Sequence, residues 1–374
     1  MKKIFKVLLC ILMIPPVLAS CSKSSKRIND LTIVQALSVD SFYNKTKIGI
    51  QYLNLFAGSA STEQLQGNIT SVSEGVGKNL SSAAFDVSKR VSDDIFFNQN
   101  KLIVFGLDYA QKDIDNAIDY LTKSYDSRPD VLAAIGLPDG ETIIKSKECK
   151  AKIPAENIFN LLRTGEQNGH APAVTVCDLL NLYNDETSDI FFPVLSAEKD
   201  NVKCEGTAVF SADKYSAMLN EEETLGFLIV KNRFESGTLT FNVENLGVVS
   251  AEITSSNAKR KVIIKDGKII FDIKIKTKSI VNETGKSIKN SLSENDYKEI
   301  KKQCEIKINS LCKKAVEKCF ENKSDPFMCA RYLYLEDKDA YNSLKADWRD
   351  NLRDIDIIVH TKTTLQRINN NTAR

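Results

Sequence analysis

The chain of 374 residues carries 51 Lys and Arg against 49 Asp and Glu, two histidines (His170 and His360) and nine cysteines. A balance this even, with no long basic stripe, gives no footing for nucleic-acid binding, and the length suffices for two or three domains with proper cores. Two histidines and the lack of Cys-x-x-Cys spacing argue against a zinc centre. The sequence contains no Gly-x-x-x-x-Gly-Lys phosphate loop, Gly-x-Ser-x-Gly or His-Glu-x-x-His motif.

Residues 1–20 have the three parts of a bacterial secretory signal. Lys2, Lys3 and Lys6 form a positive start, Val7 to Val17 is an apolar run, and Leu18-Ala19-Ser20-Cys21 fits a lipobox. That site needs a thiol, because diacylglycerol is joined to sulfur before cleavage between Ser20 and Cys21. A membrane span would need about 20 apolar residues; this run is much shorter and contains Pro15-Pro16. The expectation is a chain held at a membrane by acyl chains on Cys21, since several chains hold far better than one. Residues 21–27, polar and basic, suit a tether beside anionic headgroups or a plain linker. Loss of the signal removes three lysines and no acid, leaving 48 basic residues against 49 acidic.

In chain order, Leu31 to Val39 and Thr46 to Leu55 read as paired strands turning at Tyr43-Asn44-Lys45. Ala57 to Gln66 reads as a loop. Val76, Leu80, Ala84, Val87 and Val91 have helical spacing and predict a helix over Ser73 to Val91. Lys101 to Phe105 is a short buried strand, Tyr109 to Tyr125 a helix, and Val131 to Leu137 a strand closed by Pro138-Asp139-Gly140. Helical pattern resumes from Ile153 to Leu182, broken at Gly165 to Pro172. After Phe191 to Leu195, the polar stretch Ser196 to Lys203 reads as the boundary between halves.

The second half starts with strands at Gly206 to Phe210, Leu225 to Val230, Gly237 to Val243 and Val248 to Ile253. Lys261 to Lys265 and Lys268 to Ile275 flank Asp266-Gly267, the pattern of a type I′ hairpin. A helix starts at Ser293, capped with help from Asp296, and runs to about Glu321 with Tyr297, Ile300, Cys304, Ile308, Leu311, Ala315 and Cys319 on its buried side. A second helix is expected from Asp337 to Arg353 and an edge strand from Ile355 to Leu365. The fold class is therefore α+β, mixed α/β and multi-domain. It comprises an N-terminal mixed α/β region over 28–200, an antiparallel-sheet-plus-helices domain over 201–368, and a frayed tail at 369–374.

No constellation for catalysis stands out, and neither a metal nor a cofactor is expected. His170 lies in a Gly-Gln-Asn-Gly-His loop and His360 on a terminal strand, both as surface side chains. Asp93-Asp94 and Glu221-Glu222-Glu223 suit turns or helix starts better than calcium ligation. Beyond Cys10 and Cys21 seven cysteines remain, an odd number. Small buried thiols are expected on the long helix, with a Cys319–Cys329 disulfide as the open alternative.

Several segments resemble the Ger(x)C family, the C-subunit lipoproteins of spore germination receptors. Ile28 to Asp40 is similar to the family's opening, although Ser22-Lys23 stands where Trp-Asp is usual. Asn98 to Arg128 resembles its strand–Gly–helix–acid–x–Arg segment, with Ile103 to Gly106 as the strand and Asp126-Ser127-Arg128 as the Arg motif. Of the family's His-x-Lys only Lys101 is kept. Gly206-Thr207-Ala208-Val209-Phe210, Asp213-Lys214, Leu219 and Glu223-Thr224-Leu225-Gly226 match the family's Gly-x-Ala-Val-Phe…Asp-Lys…Leu…Glu-Thr-x-Gly. Trp348 followed by Ile355 to Thr364 matches the closing Trp…strand without its final glycine.

The resemblance implies a non-enzymatic subunit on the outer face of the spore inner membrane. It would assemble with membrane-spanning (polytopic) germinant receptor subunits in answering nutrients; its own contact with a small-molecule germinant stays open. Candidate structural or partner-contact residues are Arg128, which a loop could use through carboxylate or carbonyl bonds, Gly206, Phe210 and Trp348. A solute-binding lipoprotein of a transporter is the alternative, and would need a cleft between two similar α/β lobes.

Overall fold

The structure is a computed structural model that describes residues 30–54, 69–123, 128–146, 153–198, 201–285 and 292–366. Ser20 and Cys21, the expected loop at Ala57 to Gln66, Cys149 and the tail lie outside these residues.

The apolar alternation of the first 220 residues folds into a ten-stranded sheet. β1 (Leu31–Phe42) runs antiparallel to β2 (Lys45–Leu53), which pairs with β3 (Thr70–Gly77). On its other side β1 lies parallel to β5 (Leu102–Gly106), followed by β6 (Leu132–Leu137) and β8 (Phe191–Glu198), all parallel. β9 (Asn201–Ser211) and β10 (Lys214–Leu219) close that edge antiparallel, while β4 (Asp94–Phe96) and β7 (Val174–Thr175) add short pairings to β1 and β6.

The parallel centre is buried on both faces. Ile103 and Phe105 of β5 belong to a core shared with α1 (Leu80–Ser88) and α2 (Leu107–Lys123). Leu102 and Val104 face α3 (Gly140–Ile144) and α4 (Pro154–Asn168). α5 (Val176–Tyr183) joins the first core. Helices on both faces are what a parallel sheet requires.

The expected helix over Ser73 to Val91 divides. Residues up to Gly77 are strand β3, and the helix begins only at Leu80, where Asn79 and Ser82 form a reciprocal capping box. The stretch Ser196 to Lys203, expected as a boundary, is the β8–β9 hairpin, so the large sheet draws strands from both sides of it. Gly206 sits at the β-bulge there with φ +143°, and a Cβ would also overlap the Leu219 carbonyl. Only glycine meets both demands.

Leu225 to Val230 is not a strand but lies in α6 (Glu221–Lys231), whose Asn220–Glu223 capping box and three first-turn glutamates suit the helix dipole. A short run buried all round carries no period by which to tell strand from helix. A second sheet of four strands follows: β11 (Gly237–Val243), β12 (Gly247–Lys265), β13 (Lys268–Thr284) and β14 (Asp356–Gln366). β12 joins the two runs expected as separate strands, and the β12–β13 turn has Asp266 at φ 51° and Gly267 at φ 74°. β14 forms the edge as expected but pairs parallel to β13, so the sheet is mixed rather than wholly antiparallel. The intervening helices carry the chain back to the same end of the sheet, as a parallel pairing demands.

α7 (Glu294–Glu321) starts at the Ser293–Asp296 capping box and buries Ile300, Cys304, Ile308, Leu311, Ala315 and Cys319, with Tyr297 half-buried. The single helix expected over Asp337 to Arg353 is several short pieces: α8 (Cys329–Glu336) precedes it, then α9 (Lys338–Leu344) and α10 (Trp348–Asn351) with 3₁₀ turns. The Asp337 carboxylate caps α9 through the N–H groups of Asp339 and Ala340, which fixes a break there. Cys319 and Cys329 are free buried thiols, so the alternative of a disulfide between them does not hold.

α6 crosses α7 so closely that a Cβ on Gly226 would overlap the backbone carbonyl of Leu311. Gly226→Ala is expected to lower unfolding free energy by about 1–3 kcal/mol through overpacking, measured by urea denaturation; an unchanged midpoint would contradict the close crossing.

Candidate functional site

Where the two sheets join, the sequence-derived residues Phe210 and Trp348 are both tied to the segment Ser324-Asp325. Trp348 is 5% exposed, and its indole Nε1 donates to Asp325 Oδ2 at 3.0 Å. The Asp325 carboxylate also accepts the N–H groups of Cys329 and Ala330, both at 2.9 Å, and so caps α8. Across the junction Asp325 N–H donates to Asp189 Oδ2 at 2.6 Å, and Asp189 N–H donates to the Asp325 carbonyl at 3.1 Å. Asp189 Oδ1 accepts the guanidinium of Arg349 (Nη2 at 2.7 Å, Nε at 3.0 Å) and the N–H of Ala212 at 2.8 Å. Ser324 Oγ donates to the carbonyl of Phe210 at 2.5 Å.

Around these polar contacts run two series of rings. Phe105, Phe192, Phe210 and Tyr215 succeed one another at centroid distances of 6.0, 5.4 and 5.8 Å. Phe191 meets Phe227 of α6 at 5.0 Å, which meets Phe327 at 5.3 Å; Phe320 then leads to Phe271 of the second sheet at 5.9 Å. One apolar core thus spans both sheets. Lys231 lies at its edge, with Nζ 4.9 Å from the Phe191 ring centroid and donating to the Pro326 carbonyl at 2.6 Å. Burial, with Arg260 and Arg233 nearby, pushes its ammonium down to about 7.

A third buried carboxylate organises the large sheet. Asp40, at the end of β1, accepts the N–H groups of Gly140 at 2.6 Å and Glu141 at 3.1 Å, while Asp139 caps Thr142. Lys47 pairs with Glu141 beside it. Asp189, Asp325 and the bonding role of Asp40 escaped the sequence reading, because isolated acids show no pattern until distant segments meet.

The remaining predicted residues serve locally. Arg128 is exposed and forks onto Asp130, Nε to Oδ1 at 3.0 Å and Nη2 to Oδ2 at 2.7 Å, holding the loop before β6. His170 and His360 are exposed. No cluster of three or more His, Cys, Asp or Glu able to hold a metal occurs among the described residues. The described cysteines are free, and burial raises their thiols where a shift is seen, Cys204 to about 12. An open cleft of about 600 Å³ at the junction is lined by residues including Tyr183, Asp185, Asp213, Tyr341 and Arg349. No described helix is long and apolar enough to cross a membrane. The arrangement is that of a two-sheet scaffold, in which the buried carboxylates Asp40, Asp189 and Asp325 hold loops and helix starts together.

Known proteins share this plan. Residues 24–197 match the family described as spore germination protein N-terminal domain, and residues 205–369 match spore germination B3/GerAC like, C-terminal. The putative spore germination protein YfkR of Bacillus subtilis (strain 168) is 22% identical over 98% of this chain and 96% of its own length. Spore germination protein B3 of the same organism is 22% identical over 86% and 87%, and spore germination protein GerQC of Bacillus cereus 23% over 65% and 66%. The crystal structure of the GerBC protein superposes with a TM-score of 0.59 at 18% identity, over 89% of this chain and 97% of that one.

Burial pushes the Asp325 carboxyl up to about 6 despite its N–H donors, whereas the unfolded chain releases that proton near 3.8. The folded state therefore holds the extra proton between about pH 4 and 6. Its contribution to stability is full below about 4 and lost as pH rises through 6. Relative to Asp325→Asn, the unaltered chain is expected to lose up to about 3 kcal/mol between pH 4 and 7.5. Unfolding free energies of the two chains across that range check this; a difference that does not change with pH would contradict it.

Proposed function

Because the chain belongs to the Ger(x)C family of spore germination proteins, we propose that it is a lipid-anchored, non-enzymatic subunit of a germinant receptor. It is held by diacylglycerol on Cys21 to the outer face of the spore inner membrane and assembles there with membrane-spanning subunits to trigger germination in response to nutrients. The observation that carries this reading is the order of features. A lipobox ends at Cys21, and two germination-family matches then follow from residue 24 to 369.

The geometry supports the same reading. The clamp around Asp189 and Asp325 makes one body of two unlike sheets, a form suited to bracing partners against a membrane. A transporter's solute-binding protein closes two similar lobes on its ligand, and a ten-stranded sheet beside a four-stranded one lacks that symmetry.

Cys21→Ala removes the acylated thiol. It is expected to reduce the membrane-bound fraction by about tenfold or more and to slow nutrient-triggered germination. Fractionation with fatty-acid labelling, followed by germination assays of the variant spores, reads both. Normal germination with the protein displaced from membranes would sink the anchoring role.

A further inference from the structure

At the far end of the β1–β2 hairpin, three elements surround an open, polar cleft of about 620 Å³. We infer that this cleft binds a small phosphate-bearing polyol.

Each wall brings a lysine. Lys45 comes from the hairpin, Lys78 from the approach to α1, and Lys112 and Lys123 from one stripe of α2. Lys123 pairs with Asp119 at 2.5 Å, but Lys45, Lys78 and Lys112 have no carboxylate partner among the described residues. The other lining acid, Asp113, accepts from the Asn116 amide at 3.4 Å. Three ammonium groups without an ion pair thus share the cleft with one carboxylate without an ion pair, an excess of positive charge in a chain otherwise near neutrality.

The first turn of α1 adds backbone donors. Leu80 and Ser81 line the cleft at the positions where a helix leaves its N–H groups unpaired, and the Asn79 side chain is occupied with Ser82 N–H. Tyr43 lies at the rim, 91% exposed and at φ 52°, a conformation tyrosine rarely adopts. Its ring meets Phe42 edge to face at 4.9 Å and offers a face for the C–H surface of a polyol. The volume suits a small molecule rather than a macromolecular surface, and lysines with amide neighbours suit phosphate and hydroxyl groups together.

A soluble phosphate ester and a lipid headgroup share this chemistry. β1 spans 12 residues, which sets the cleft roughly 36 Å from Leu31 at about 3.3 Å per residue. The segment from Cys21 to Leu31 reaches about the same distance when fully extended, so a headgroup in the chain's own membrane is reached only with the tether folded back along the body.

The test is calorimetric titration of the full mature chain in detergent with glycerol 1-phosphate. One saturable site is expected, weakened tenfold or more in Lys78→Gln/Lys112→Gln, largely restored in Lys78→Arg/Lys112→Arg, and unaffected by Lys313→Gln/Lys314→Gln on α7. Titrations that do not saturate, or equal affinity in the Lys78→Gln/Lys112→Gln chain, would overturn the inference. Given saturation, flotation of Cys21→Ala protein with phosphatidylglycerol vesicles separates the sources. Flotation lost in the Lys78→Gln/Lys112→Gln background marks a headgroup ligand, and no flotation marks a soluble one; both uphold the site.

Discussion

Asp189 and Asp325 stand 136 positions apart, yet each gives its backbone N–H to the other. Most of the junction hangs on that exchange. Asp189 enlists Arg349 and the turn at Ala212, while Asp325 enlists Trp348 and the start of α8. Isolated carboxylates so deeply buried would carry a heavy desolvation cost, so each persists only because several donors converge on it. The two series of rings, Phe105 to Tyr215 and Phe191 to Phe271, belong to the core that surrounds them, and exclusion of water there strengthens the polar contacts inside. Two sheets of different size and strand direction are in this way held as one body.

What was legible in the sequence was what local chemistry decides. Asp266-Gly267 announced its hairpin, Ser293 with Asp296 announced the longest helix, and the apolar periods of β1, β2, β5 and α2 gave their elements within a few residues. Trp348, a structural or partner-contact candidate from the sequence, is buried. The failures share a cause in tertiary context. Leu225 to Val230 is surrounded by core and so lacks a period. Residues up to Gly77 form a strand because β2 pairs with them, despite helical spacing, and β14 runs parallel to β13 because of the path the chain takes back. Arg128 serves its own loop through Asp130 and does not reach the junction. Nothing in the sequence marks Asp189 and Asp325 as partners, since their meaning arises only when the two halves are brought together.

The anchor and the body have complementary roles in the proposed function. In that proposal, acyl chains on Cys21 would confine the chain to one face of a membrane without by themselves setting its orientation. Orientation must come from contacts of the rigid body, and a body that did not flex between its halves would transmit a displacement from one end to the other. The geometry this proposal needs lies in the carboxylates and rings of the junction, which tie the segments around Asp189 and Asp325 together.

Whether the halves form one body is tested most directly by differential scanning calorimetry of the unaltered chain. A clamped structure should melt in a single transition, with calorimetric and van't Hoff enthalpies in a ratio of about 1. Two resolved transitions, one for each sheet, would contradict the clamp at Asp189 and Asp325.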